Sequence, residues 1–91
     1  MAVGYIIEVP GGTQAQYDKA MVELNVEGNP IDGLLFHTAG PIDSGWRVID
    51  VWQSDEHFQT FLQTRLVAAT TAAGILDPQI TPFTVYNTMA G

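Results

Sequence analysis

His37 and Asp50 are the residues of this sequence best suited to acid–base work. A carboxylate beside an imidazole fixes its tautomer and raises its basicity, so that it can take a proton from an acidic phenol or carbon acid. The resulting phenolate or carbanion is a nucleophile and a reductant. Trp46, Trp52 and Tyr5 supply an aromatic wall able to stack a planar substrate, with the Tyr5 phenol as a donor. Leu35 and Val48 fall on the same strand faces, and Tyr86 on the last strand is within reach of a pocket. The competing assignment keeps His37 as a hydrogen-bonding residue in a subunit interface and the aromatics as ordinary packing.

Other chemistries are excluded or weak. The chain has no Cys, which removes disulfides, thiolate catalysis and Cys-based metal sites. Two separated His residues do not make an ordinary zinc site, so no metal is expected. Gly11-Gly12 follows a strand but lacks the lysine of a phosphate loop. Ten acids stand against three bases, a formal net charge of −7. Lys19, Arg47 and Arg65 cannot form the basic patch that nucleic acid or an anionic membrane requires. Arg47 suits a rim position or a pair with Glu8, Arg65 a salt bridge, and His57 a solvated first helical turn. No apolar run approaches a membrane span and no basic, apolar leader is evident, so a cytoplasmic protein is expected.

The elements that must position these groups are legible from periodicity. Val3 to Val9 is a β-branched and aromatic run stopped by Pro10-Gly11-Gly12. Thr13 and Gln16 form a capping box, and Tyr17, Ala20, Met21 and Leu24 make one apolar helical stripe that fades at Glu27-Gly28-Asn29-Pro30. Gly33 to Ala39 and Trp46 to Trp52 read as two strands joined through the turn-rich Gly40 to Gly45. Ser54 is an N-cap followed by Asp55 and Glu56, and Phe58, Phe61, Leu62, Arg65, Leu66 and Ala69 recur at helical spacing towards Gly74. A last strand is expected near Thr81 to Asn87. The order β-α-β-β-α-β over residues 1–91 makes one α+β domain of ferredoxin-like plan, with an antiparallel four-stranded sheet and both helices on one face.

Pairing Gly40 with Gly45 places Leu35, His37 and Ala39 on one face with Trp46, Val48, Asp50 and Trp52, joined by Tyr5 and Ile7. The other face carries Ile6, Leu34, Phe36, Ile49 and Val51, and its plain apolar character marks it as the core beneath the helices. The mixed face with His37 and Asp50 is too hydrophobic to stay wet in a chain that is 46% apolar. Covering several hundred Å2 of it is worth on the order of 10 kcal/mol before association costs, and a second copy is the simplest cover. A homodimer through that face is therefore expected.

Gly33-Leu34-Leu35-Phe36-His37, Trp46 through Ser54, and then Phe58 and Phe61 resemble the antibiotic-biosynthesis-monooxygenase-like group of the dimeric α/β-barrel superfamily. A strand ending in Val-Trp-x-Ser and running into a helix with a Phe four residues on is typical of it. The resemblance implies two sheets packed face to face around a two-fold axis, with a pocket inside the barrel or between each sheet and its helices. Some relatives oxidise polyphenolic or anthrone-like substrates with molecular oxygen and no metal or flavin, some cleave haem, and others cyclise polyketides. Trp52 matches the pocket tryptophan of haem-degrading and oxygenase relatives. Tyr5 and Leu62 stand where haem-degrading relatives carry Asn and His, which argues against haem degradation. The expected function is cofactor-independent oxygenation of an aromatic or polyketide-like substrate, with His37 as base and Asp50 orienting it. A polyketide cyclase and a non-catalytic dimer binding a hydrophobic ligand are the alternatives.

Overall fold

In the computed structural model, which describes residues 2–89, four strands form one antiparallel sheet in the order β2-β3-β1-β4. These are β1 (Val3–Pro10), β2 (Leu34–Ile42), β3 (Gly45–Trp52) and β4 (Gln79–Thr84). Helix α1 (Gln14–Leu24) lies between β1 and β2. Between β3 and β4, α2 (Asp55–Phe61) runs through a π-helical turn at Leu62–Leu66 into α3 (Val67–Ala72). The chain is a ferredoxin-like α+β fold. None of its helices, among the described residues, is long and apolar enough to cross a membrane.

Local chemistry sets the helix starts. Thr13 accepts from the Gln16 amide at 3.2 Å while the Gln16 side chain accepts from the Thr13 amide at 3.1 Å, which satisfies two donors at the start of α1. Ser54 caps α2 in the same manner, accepting from the His57 amide at 3.2 Å. Helix α1 stops earlier than the Gly28-Pro30 signal suggests. Asn25 adopts a left-handed conformation at φ 48° and closes the helix on the Met21 and Val22 carbonyls.

The register corrects two expectations. Strand β2 runs on through Pro41-Ile42, and Ile42 pairs with Gly45 across a two-residue turn, so the pairing is shifted by two residues from Gly40 opposite Gly45. A shift of two preserves side-chain parity, and His37 now lies directly opposite Asp50 rather than diagonal to it. A bulge between Leu34 and Phe36 puts Leu34 opposite Trp52 and leaves Leu35 unpaired and exposed. The last strand ends at Thr84, short of Asn87, and Tyr86 lies beyond it, fully exposed.

The larger correction concerns which face meets the helices. Tyr5, Ile7 and Trp52 form the buried core with Leu24, Phe58, Phe61 and Ala69, so the face that carries His37, Val48 and Asp50 lies beneath the helices. The uncovered face is the aliphatic one, with Ile6, Ile49 and Val51 flanked by Phe36 (58% exposed) and Phe83 (38% exposed). Large rings decide the orientation. Tyr5 stacks on Phe58 with centroids 3.8 Å apart, and Trp52 meets Phe61 at 5.2 Å, filling a gap that β-branched side chains are too short to span. On the open face Gly4 leaves room for Phe83, because any Cβ there would collide with that ring.

Candidate functional site

Between the sheet and the helices lies a cavity of about 320 Å3. Its wall is almost wholly apolar, with Ile7, Val48 and Ile80 from the sheet, Met21 from α1, and Leu62 and Leu66 from the π-helical turn. Such a turn shifts helical phase by a residue, and here it brings both leucines to the cavity. This size is at the lower end for small-molecule sites, which run from roughly 300 to 1,000 Å3.

One hydrogen-bonded line of polar groups interrupts that wall. Tyr17 Oη lies 2.6 Å from His37 Nε2, and His37 Nδ1 lies 2.6 Å from Asp50 Oδ1. The Trp52 indole N–H donates to Asp50 Oδ2 at 3.4 Å, a long bond. Asp50 is buried, whereas the His37 side chain is 30% exposed. The carboxylate can only accept, so Nδ1 carries the imidazole proton and donates to Asp50. In the neutral ring Nε2 is then the acceptor, and the Tyr17 hydroxyl donates to it. Burial first, and then the charges of Asp50 and Asp18, raise the Tyr17 pKa, which keeps the phenol protonated and in the donor role. The direction of the whole line is thereby set.

Strand alternation brings His37 and Asp50 together, and the capping box at Thr13 sets the phase of α1 so that Tyr17 faces them. Tyr17 is the functional candidate that sequence reasoning missed. The available signal was a phenol among the apolar residues of the α1 stripe, where Ala20, Met21 and Leu24 have no polar atom.

The other candidates divide. Trp46, Val48 and Trp52 line the cavity with His37 and Asp50. The Trp46 ring lies 5.3 Å from that of Tyr17, and its buried indole N–H has no acceptor among the described residues. Tyr5 does not line the cavity: it is packed on Phe58, and its hydroxyl donates to Asp55. Leu35 projects from the bulge and Tyr86 is fully exposed, so neither reaches the site. Arg65, expected in a salt bridge, instead donates to the Leu24, Asn29 and Pro30 carbonyls. His57 Nδ1 is hydrogen-bonded to the Ser54 hydroxyl at 2.6 Å and the ring packs on Gly33, with Asp32 3.7 Å from Nε2. Among the described residues no three His, Asp or Glu side chains gather as metal ligands.

The two raised tyrosines make stability pH-dependent. Tyr5 is shifted upward by burial and then by Asp55, and Tyr17 as described, both from an ordinary value of 10.0. The folded state therefore holds its protons more tightly than the unfolded chain, and stability present below pH 10 should fall as pH rises above it. Urea midpoints at pH 8 and pH 11 check this, and Tyr5→Phe should flatten the decline; an unchanged slope would contradict it.

No family model matches the chain, and no curated protein does. Solved structures share its fold. SnoaB, a cofactor-independent oxygenase from Streptomyces nogalater, is 19% identical with a TM-score of 0.69, covering 99% of this chain and 98% of that one. A candidate antibiotic biosynthesis monooxygenase from Chloroflexus aurantiacus is 15% identical with a TM-score of 0.70, over the same shares of the two chains. A dimeric ferredoxin-like protein of unknown function from Thermobifida fusca is 14% identical with a TM-score of 0.69, covering 93% of this chain and 92% of that one. The chain thus has the fold of antibiotic-biosynthesis-monooxygenase-like structures along nearly its whole length.

Proposed function

From that shared fold and the polar line at the cavity, we propose that the protein is a cofactor-independent oxygenase of an aromatic or polyketide-like substrate. The observation that carries the reading is the Tyr17–His37–Asp50 line closing one side of an apolar cavity. A substrate hydroxyl or acidic C–H placed against Tyr17 Oη gives up its proton to that oxygen as the Tyr17 proton moves to His37 Nε2. Asp50 stabilises the imidazolium that forms. The substrate anion then reduces molecular oxygen, the two radicals join as a peroxide, and loss of water leaves a carbonyl. One CH2 and one O2 become one C=O and one H2O. The cofactor-independent oxygenase among the structural neighbours supports this choice over other uses of the same proton transfer.

Oxygen uptake during a screen of anthrones and polyphenols, with and without chelator, tests the reading. Uptake matched by product that has gained one oxygen and lost two hydrogens is the expected result. Chelator-sensitive uptake, or none, would count against it. Turnover without oxygen would instead indicate aldol cyclisation, which needs the same base; binding without turnover would indicate a ligand-binding protein. Tyr17→Phe should lower turnover about tenfold or more while leaving substrate affinity within a few-fold, since it deletes only the relay oxygen. Separate kcat and KM values check this.

The proposal includes a homodimer, with the open sheet face as the contact. Ile6, Phe36, Ile49, Val51 and Phe83 form a contiguous apolar surface, and a second copy covers it by the same residues across a two-fold axis. A dimeric ferredoxin-like protein among the structural neighbours supports a dimer, without bearing on the face that forms it.

A further inference from the structure

The charges around the cavity are as one-sided as its shape. Among the residues that line it Asp50 is the lone full charge, and no Lys, Arg or Glu contributes to the wall. The chain has only three bases, and each is placed elsewhere. Lys19 is on the exposed side of α1, Arg47 is exposed beside Glu8 on the opposite sheet face, and Arg65 is held by three backbone carbonyls. Beside His37, whose N–H is taken by Asp50, the donors near the reactive end are uncharged groups: the Tyr17 hydroxyl and the indole N–H groups of Trp46 and Trp52. A net charge of −7 adds a repulsive field for any approaching anion.

From this charge distribution we infer that the site selects an uncharged hydroxyaromatic ligand and rejects its carboxylated counterpart. The inference rests on the cavity being the ligand site and not on the oxygen chemistry proposed for it. A carboxylate brought into the cavity would lose its water, find no Lys or Arg to pair with, and face the Asp50 carboxylate, to which the His37 N–H is already committed. A neutral phenol meets none of these costs. Its hydroxyl can donate to Tyr17 Oη while its rings lie against Trp46 and the aliphatic wall. When it ionises, its proton passes to Tyr17 and the Tyr17 proton to His37, so the new anion forms close to an imidazolium and the charge of the site does not change. The upward shift of Tyr17 fits such a site, since it marks surroundings that disfavour a further negative charge.

The test compares 6-hydroxy-2-naphthoate with its methyl ester, which share the ring system and the phenol and differ in charge and one methyl group, with the primary carboxamide as the neutral control lacking that methyl. Binding to the wild-type protein near pH 7 is followed by naphthol fluorescence. The ester should bind at least about tenfold tighter than the acid, equivalent to one pKa unit against the charged form. Most of the difference should persist in about 0.5 M salt, where the field of exposed acids is screened but a buried carboxylate is not. Asp50→Asn should narrow the ratio by raising affinity for the acid. Equal binding of acid and ester, a preference for the acid, or no binding by either would overturn the inference, and none of these needs the variant to fold. Oxygen uptake is measured in parallel on an anthrone, because the naphthols carry no ring CH2 to oxidise. Ester selectivity without uptake would retain the inference and reject the oxygenase reading, whereas uptake with an acid preference would do the reverse.

Discussion

His37→Ala is expected to yield a folded protein whose turnover has fallen by roughly 10^2 to 10^4-fold, the usual contribution of one positioned acid–base group. The imidazole is the middle of the line, so its removal separates Tyr17 from Asp50 and leaves the Tyr17 proton with no acceptor. The fold should tolerate the change because the ring is partly exposed and adds little to the buried core. Asp50 keeps its bond to the Trp52 indole but loses its better partner, a cost of about 1–3 kcal/mol for a buried acceptor left short. His37→Gln separates the two roles. Its amide can hydrogen-bond to Asp50 but cannot accept a proton near neutral pH, so stability should recover while turnover does not. Urea midpoints and single-turnover rates on the same samples check both parts; turnover retained by the alanine variant would retire His37 as the base.

Much of this site was legible because β-structure alternates. Parity alone placed His37 with Trp46, Val48 and Asp50, and it survived a register error because the true pairing differs by two residues. Turn residues hid the correct register: Pro41 looked like part of the connection, yet it lies in β2, the edge strand of the sheet, where a missing N–H is tolerated. The bulge at Leu35 has no comparable mark, since Leu34 and Leu35 are the same residue and either could have faced inward. Orientation of the sheet was misread for a different reason. Both faces are apolar, and hydrophobicity does not say which takes the helices. Ring volume does. Phe58 and Phe61 on α2 require aromatic counterparts, and these are Tyr5 and Trp52 on the mixed face. The inversion moved the candidate base from a subunit contact to the mouth of the cavity between sheet and helices, where Tyr17 can reach it.

Val51→Asp is expected to convert the proposed dimer to monomer without unfolding it. Val51 lies on β3, a central strand, with Gly4 of β1 and Phe36 of β2 opposite it in register, so it stands in the middle of the open face. Face-to-face sheet packing would seal the new carboxylate from water, and the two-fold axis would place a second copy of it in the same contact. An uncompensated buried charge costs several kcal/mol, so the dissociation constant should rise by at least about a hundredfold. In the monomer the carboxylate remains in solvent, and the core around Trp52 and Phe58 is untouched. Val48→Asp is the contrasting variant, because Val48 lines the cavity beneath the helices and its replacement sets a second carboxylate near Asp50. It should lower the unfolding midpoint instead of acting on assembly alone. Sedimentation velocity and thermal melts on the pair distinguish the faces: a Val51→Asp protein that still sediments as a dimer would move the contact off this surface.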